Sequence, residues 1–250
     1  MPLLEVKDLG VRYDKAVILN GVSLSVDTGE FVGIVGPNGA GKSTVLRAVS
    51  GLIRLEEKMA RGTRGQIVID GEIRFAGERI DRLQPHEIRM RGFALCPSRQ
   101  RPFRELTVLE NLQAGAHLAR DAAASRRRLD HCFALFPRLA ERKDQLAGTL
   151  SGGEQQMLAI GRALMYDAKL FAIDEPSLGL APRIREEVFR IIARIHAEGI
   201  PVLVVEQEVG QVFRLAHRNY VLSQGRVWGH GPGSTLMADE SLRACYLGMV

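Results

Sequence analysis

The chain has 250 residues, 46% of them apolar and 25% charged, with a net charge of +5 and a sequence pI near 9.4. That length and apolar share suffice for a sizeable core in one large domain or two small ones, and the charge density excludes wholesale disorder. The arginine-rich excess favours contact with something negative (nucleotide phosphates, a lipid surface or nucleic acid) without choosing among them.

The cysteines Cys96, Cys132 and Cys245 are scattered and form no CxxC pair, so they read as reduced thiols with neither a disulfide framework nor a zinc site. No segment approaches the ~18 uninterrupted apolar residues of a membrane span. The start, "MPLLEVKDLG", lacks the apolar core of a signal peptide. The expectation is a cytosolic chain held at a membrane only by a partner.

Along the chain, "LLEVKDLGVRY" and "GVSLSV" alternate as strands and end in the turn-like "DTGE". "FVGIVG" reads as a short buried strand, followed by a glycine-rich turn and the helical "STVLRAVSGL". Residues 55–64, charged and glycine-containing, read as a surface loop. "GQIVIDG" (65–71) and "GEIRFAG" (71–77) read as the two arms of a hairpin. From Leu106 to about Leu146 apolar residues recur three or four apart, which predicts an inserted helical subdomain. Beyond it, "SGGEQQMLAIGRALM" and "PRIREEVFRIIARIHAEG" read as helices, with "KLFAID" and "IPVLVVEQ" as strands. Strands alternating with helices predict a parallel sheet covered on both faces. The six histidines show no ligand spacing, and Trp228 is expected to pack near the C-terminal turn.

"GPNGAGKST", Gly36, Pro37, Asn38, Gly39, Ala40, Gly41, Lys42, Ser43 and Thr44, fits G-x-x-x-x-G-K-[ST] between a strand and a helix, the context of a P-loop. Its glycines let backbone N–H groups curl around phosphate oxygens at a helix N-terminus. Lys42 is expected to reach the β- and γ-phosphates, and the Ser43 hydroxyl to ligate Mg²⁺. "LFAIDEP" is an apolar strand ending in two carboxylates. Asp174 is expected to hold Mg²⁺ through water and Glu175 to polarise an attacking water. In "LSGGEQQ", Ser151, Gly152 and Gly153 offer a hydroxyl, bare N–H groups and a helix dipole to an anion, far in sequence from the first phosphate loop.

Together these three motifs resemble the nucleotide-binding subunits of ABC transporters, over essentially the whole chain. The resemblance implies a P-loop (RecA-like) α/β core with an N-terminal antiparallel β-subdomain and an inserted helical subdomain. The core's first part would span 1–98, the helical subdomain 99–150 and the second part 151–250. It further implies that two subunits close head-to-tail on two Mg-ATP, each P-loop facing the other chain's Ser-Gly-Gly, and thereby drive a permease. Tyr13 corresponds to an aromatic that stacks on adenine, and "SLGLAP" (177–182) to a loop facing the dimer partner. That wording, with "VEQ" at 205–207 and "YLG" at 246–248, is similar to the ATP-binding proteins of importers for branched-chain amino acids and related amides such as urea. Such an importer adds permease subunits and an extracytoplasmic binding protein.

Two positions depart from the family pattern. After Pro97, where a glutamine or glutamate would contact Mg²⁺ and the attacking water, stands Ser98. Either Gln100 does the work from a shifted loop, or Ser98 is a shorter substitute. Gln207 stands where most of the family carry a histidine on the γ-phosphate; it donates a hydrogen bond but carries no charge. These softened contacts favour pairing with a different ATPase subunit over the default homodimer. Arg99, Arg101 and Arg104 read as a solvated loop or as a contact with the permease. They lack the stacking platform or module of a nucleic-acid site. The alternative to transport is an ATP-driven mechanical switch on a cytosolic or division complex, against which stand a single cassette and no heptad run.

Overall fold

The computed structural model describes residues 1–60, 66–98, 102–117 and 121–240. Strands β1 (Leu4–Tyr13) and β2 (Ala16–Val26) pair antiparallel, and Leu4, Val6, Leu9 and Val11 all turn inward from β1. The fully buried β3 (Phe31–Val35) runs into the glycine-rich turn and then α1 (Lys42–Val49). Next comes α2 (Leu52–Ala60), where a loop was expected. Leu, Arg, Glu, Lys, Met and Ala are all strong helix formers, and an Arg54–Glu57 ion pair at i,i+3 ties the first turns together. The rest of the expected loop, 61–64, lies outside the described residues.

The expected hairpin is also absent. β4 (Ile67–Phe75) is one continuous strand antiparallel to β1, with a register shift between Lys7 and Gly10. Gly71 lies inside it at φ 100°, where an added Cβ would come within 2.6 Å of the Lys7 carbonyl. Glycine here allows a close approach at a bulge rather than a reversal. The short β5 (Glu78–Arg79) completes a sheet ordered β2-β1-β4-β5.

After α3 (Pro85–Met90) and β6 (Phe93–Cys96), the chain enters α4 (Val108–Gly115), α5 (Ala122–Leu135), α6 (Pro137–Glu141) and α7 (Gly152–Leu164). It then alternates through β7 (Leu170–Asp174), α8 (Pro182–Ala197), β8 (Val202–Glu206), α9 (Val209–Leu215) and β9 (Arg218–Ser223). It ends in β10 (Arg226–Gly231) and α10 (Gly233–Ala238). The second sheet has the order β10-β9-β3-β8-β7-β6, parallel except for the edge strand β10. Both faces of this sheet are covered, which is why its central strands are apolar throughout. Phe31, Val35, Phe171, Ile173, Val202 and Val204 pack toward α7, α8 and α9. Their alternates Val32, Ile34, Leu170, Ala172, Leu203 and Val205 pack toward α1 and the antiparallel sheet. Trp228 does not pack inward: on β10 it is 53% exposed, and its Nε1 donates to the Ser223 carbonyl at 3.2 Å.

Asn111 on α4 is fully buried and fixes the segment leading into that helix. Its Oδ1 accepts from the Phe103 N–H at 2.8 Å. Its Nδ2 donates to the carbonyls of Phe103, Leu106 and Thr107 at 2.9, 3.3 and 2.9 Å. Thr107 and Glu110 cap the same helix reciprocally. Phe103 is thereby held out at the surface, 55% exposed, under the Arg162 guanidinium at 4.8 Å.

Candidate nucleotide site

The strand order β3-β8-β7 brings three loops together at the C-terminal ends of adjacent parallel strands. Val35 pairs with Glu206, and Asp174 with Val205. In open parallel sheets this is where ligands bind. The turn after β3 needs its glycines. A Cβ on Gly36 would sit 1.9 Å from the Leu222 carbonyl, and one on Gly41, at φ 99°, would come within 2.6 Å of Leu19 and 3.1 Å of the Ile18 carbonyl. Pro37, Asn38, Gly39 and Ala40 form the turn between them, with Asn38 and Gly39 exposed.

Lys42 is buried, and its Nζ donates to the carbonyls of Gly36 and Pro37 at 2.9 Å each. Glu175 Oε1 lies 4.0 Å away. Burial lowers the lysine's pKa, while the charges of Glu175, Asp174 and Glu206 work to raise it. The next residue, Ser43, donates from its hydroxyl to Asp174 Oδ1 at 2.9 Å, and Thr44 follows, half-buried, in the first turn of α1. Burial pushes the Asp174 carboxyl above its ordinary value, against hydrogen bonds from Ser43 and from the hydroxyl and N–H of Ser98. Ser98 therefore lies near enough to the acidic strand end to act on its charge. Gln100, like Arg99, Arg101 and the 246–248 ending, lies outside the described residues.

A hydroxyl beside a carboxylate suits a small hard cation that takes one or two protein oxygens and leaves its other positions to phosphate and water. The residues present thus fit Mg²⁺. Glu175 adopts φ 47°, a left-handed conformation uncommon for a residue with a side chain. Its N–H donates to the Val205 carbonyl at 2.8 Å, which locks the corner after β7 onto β8.

Ser151, Gly152 and Gly153 open α7. The Ser151 hydroxyl donates to Glu154 Oε2 at 2.7 Å and accepts from the Glu154 N–H at 3.4 Å, while the Ser151 N–H donates to the same carboxylate at 2.9 Å. Burial works to raise the Glu154 pKa, but these bonds and Arg142 hold it below its ordinary value. Gly153 packs against Ile184, leaving no room for a Cβ. Ser151 and Gly152 are exposed. Among the described residues no hydrogen bond or ion pair joins this turn to residues 36–44 of the same chain.

Tyr13, half-buried, donates its hydroxyl to Glu56 Oε2 at 3.3 Å, and Arg47 pairs with the same carboxylate. Burial first, and then the Glu56 charge, raises the tyrosine's pKa. Gln207 is exposed; its N–H donates to Glu206 Oε2 at 3.0 Å. Sequence reasoning assigned no role to Glu56, because its segment read as a loop. It also passed over Glu206, a carboxylate only 2% exposed, although the residue stands inside the quoted "VEQ". The S-x-x-E cap at Ser151 was open to view, since that spacing is itself the capping signature.

Residues 19–178 match the ABC transporter family. The chain belongs to that family. Its α/β cassette, with an antiparallel sheet beside the parallel one, also matches a nucleotide-free ATP-binding cassette from an ABC transporter. That likeness has TM-score 0.81 at 26% identity and covers 97% of this chain and 98% of the other. The ADP conformation of MJ1267, an ATP-binding cassette of an ABC transporter, gives TM-score 0.80 at 27% identity over 99% of each chain. Among curated ABC proteins, the chain is 42% identical to the high-affinity branched-chain amino acid transport ATP-binding protein BraG of Pseudomonas aeruginosa. The match covers 98% of this chain and all of that protein. It is 33% identical to the lipopolysaccharide export system ATP-binding protein LptB of Haemophilus influenzae, over 99% of this chain and 98% of the other. The family makes this an ATP-binding, ATP-hydrolysing subunit. Among the described residues no helix is long and apolar enough to cross a membrane.

Proposed function

We propose that the chain energises a membrane importer for branched-chain amino acids or related amides, docked on permease subunits at the inner face of the membrane and served by an extracytoplasmic binding protein. The cargo rests on the likeness to BraG along the full length of both chains. The chemistry rests on the meeting of Lys42 and Ser43, after β3, with Asp174 and Glu175, at the end of β7, on either side of β8.

Phosphoryl transfer to water needs positioning and charge neutralisation more than covalent chemistry. The P-loop N–H groups at 36–44 cradle the phosphates, and Lys42 leaves its two carbonyl partners for the β- and γ-oxygens. Ser43 and Asp174 would hold Mg²⁺, with Ser98 or Gln100 beside them; the ion supplies charge neutralisation at the phosphates when bound. Glu175 orients the attacking water and accepts its proton, Gln207 donates to the terminal phosphate, and Tyr13 stacks on adenine. Ser151, Gly152 and Gly153 face the nucleotide of the other protomer across the dimer. The core spans 1–98 and 151–250, with the helical arm at 99–150 between them.

Ser98 and Gln207 weaken two contacts on one chain, which favours a heterodimer with a second ATP-binding subunit. Hydrolysis by the purified chain alone at the rate of the assembled complex would rule that out. The catalytic assignment is tested by Glu175→Gln, which is expected to abolish turnover while ATP still binds; a variant with normal turnover refutes the base. Proteins that co-purify from detergent-solubilised membranes separate the importer, which brings a hydrophobic permease, from a mechanical switch, which brings ribosomal or division proteins.

A further inference from the structure

Glu206 has no role in the scheme above. It ends β8 almost wholly buried, and among the described residues it takes part in no ion pair. An ionised side chain in that position is costly unless its oxygens are occupied. Both are. Oε1 accepts from the Ser177 N–H at 2.9 Å and Oε2 from the Gln207 N–H at 3.0 Å. Ser177 opens the loop that follows Glu175, and Gln207 begins the segment that follows β8. One carboxylate therefore clasps the first backbone groups of two loops that leave neighbouring strands. A glutamine would fit the space, but it has one acceptor oxygen and would turn its amide hydrogens on one of the two N–H groups. The fit calls for a carboxylate.

The loop held at Ser177 is short and tightly turned. The Leu178 N–H donates to the Glu175 carbonyl at 3.2 Å and the Leu180 N–H to the Ser177 carbonyl at 3.1 Å, with Leu178 itself 45% exposed. We propose that Glu206 is a positioning residue for hydrolysis, fastening the Gln207 backbone to the Ser177 backbone so that contact of Gln207 with a terminal phosphate sets the place of Glu175 and of the exposed loop at Leu178. The inference rests on the roles given to Gln207 and Glu175 above. It adds the element through which they act together.

The test is a double-mutant cycle on ATP hydrolysis by the full chain, purified with the membrane partner it carries, comparing wild type, Glu206→Gln, Gln207→Ala and the double variant. Glu206→Gln is expected to lower kcat about tenfold, with KM for ATP within about twofold, as for a lost hydrogen bond to a charged group. It should cost nothing further in the Gln207→Ala background. Effects that multiply in the double variant, a loss confined to KM, or an unchanged kcat would each overturn the proposal. Gln207→Ala at wild-type speed would overturn the role of Gln207 and the proposal with it. Gln207→Ala slow and Glu206→Gln fast would overturn the proposal alone. If Glu206→Gln does not fold, Glu206→Asp, with both oxygens on a shorter arm, is measured in the same two backgrounds against the same criteria.

Discussion

The Ser43 hydroxyl donates to Asp174 Oδ1 at 2.9 Å, joining the first turn of α1 to the last residue of β7 across 131 positions of sequence. A hydroxyl and a carboxylate brought so close suit one small hard cation, the hydroxyl as its ligand and the carboxylate holding it through water. Ser43→Ala should therefore weaken binding of Mg-ATP about tenfold, the scale of one hydrogen bond or ligand to a charged centre, while metal-free ATP binds almost unchanged. Titration of nucleotide with and without Mg²⁺ checks this. Equal losses in both series would remove Ser43 from the metal site.

Ser98 and Gln100 compete for the position after Pro97, and Ser98 is near enough to Asp174 to work against the rise that burial gives its pKa, which favours Ser98. Ser98→Ala removes a hydroxyl that holds the carboxylate in its charged form. The Mg²⁺ concentration for half-maximal hydrolysis is expected to rise about tenfold. Gln100→Ala should leave that midpoint where it is. The reverse pattern would give the metal contact to Gln100.

Stability at acid pH has its own marker, away from the nucleotide. Arg218 grips Glu30 with two bonds of 2.9 Å, and the Asp27 N–H adds a third at 2.9 Å. Burial works to raise the Glu30 pKa, but these bonds outweigh it and hold the carboxyl below its ordinary value. A carboxyl depressed by folding stabilises above its unfolded pKa and loses that contribution as pH falls through the folded value. Glu30→Gln should thus cost about 2 kcal/mol at neutral pH, with the gap from wild type closing below pH 4.5. Thermal melts of both proteins from pH 7 downward measure it. A gap that is constant with pH would mean the pair contributes shape rather than charge.

The P-loop and the acidic strand end were legible because each is a contiguous motif whose local chemistry demands its neighbours. Glycines at Gly36 and Gly41 are forced by close approach, and Asp174 and Glu175 follow an apolar run too short for anything but a strand. Glu206 was not legible. Its meaning comes from the register of β8 between β3 and β7, which delivers the Ser177 N–H to it from elsewhere in the chain. The two misread segments erred through glycine. Gly62 beside a charged run hid the helix formers of α2, and Gly71 resembled a turn while sitting opposite a bulge in β1. Glu56 vanished with the first error, and with it the anchor of Tyr13.

The four hydrogen bonds of Asn111 give the segment at Phe103 a mechanical character. A peptide tied at both its N–H and its carbonyl to a side chain sunk in α4 has no slack of its own. The exposed Phe103 ring also lies under the Arg162 guanidinium, so the tied segment touches both α4 and α7, and α7 is the helix that Ser151 caps.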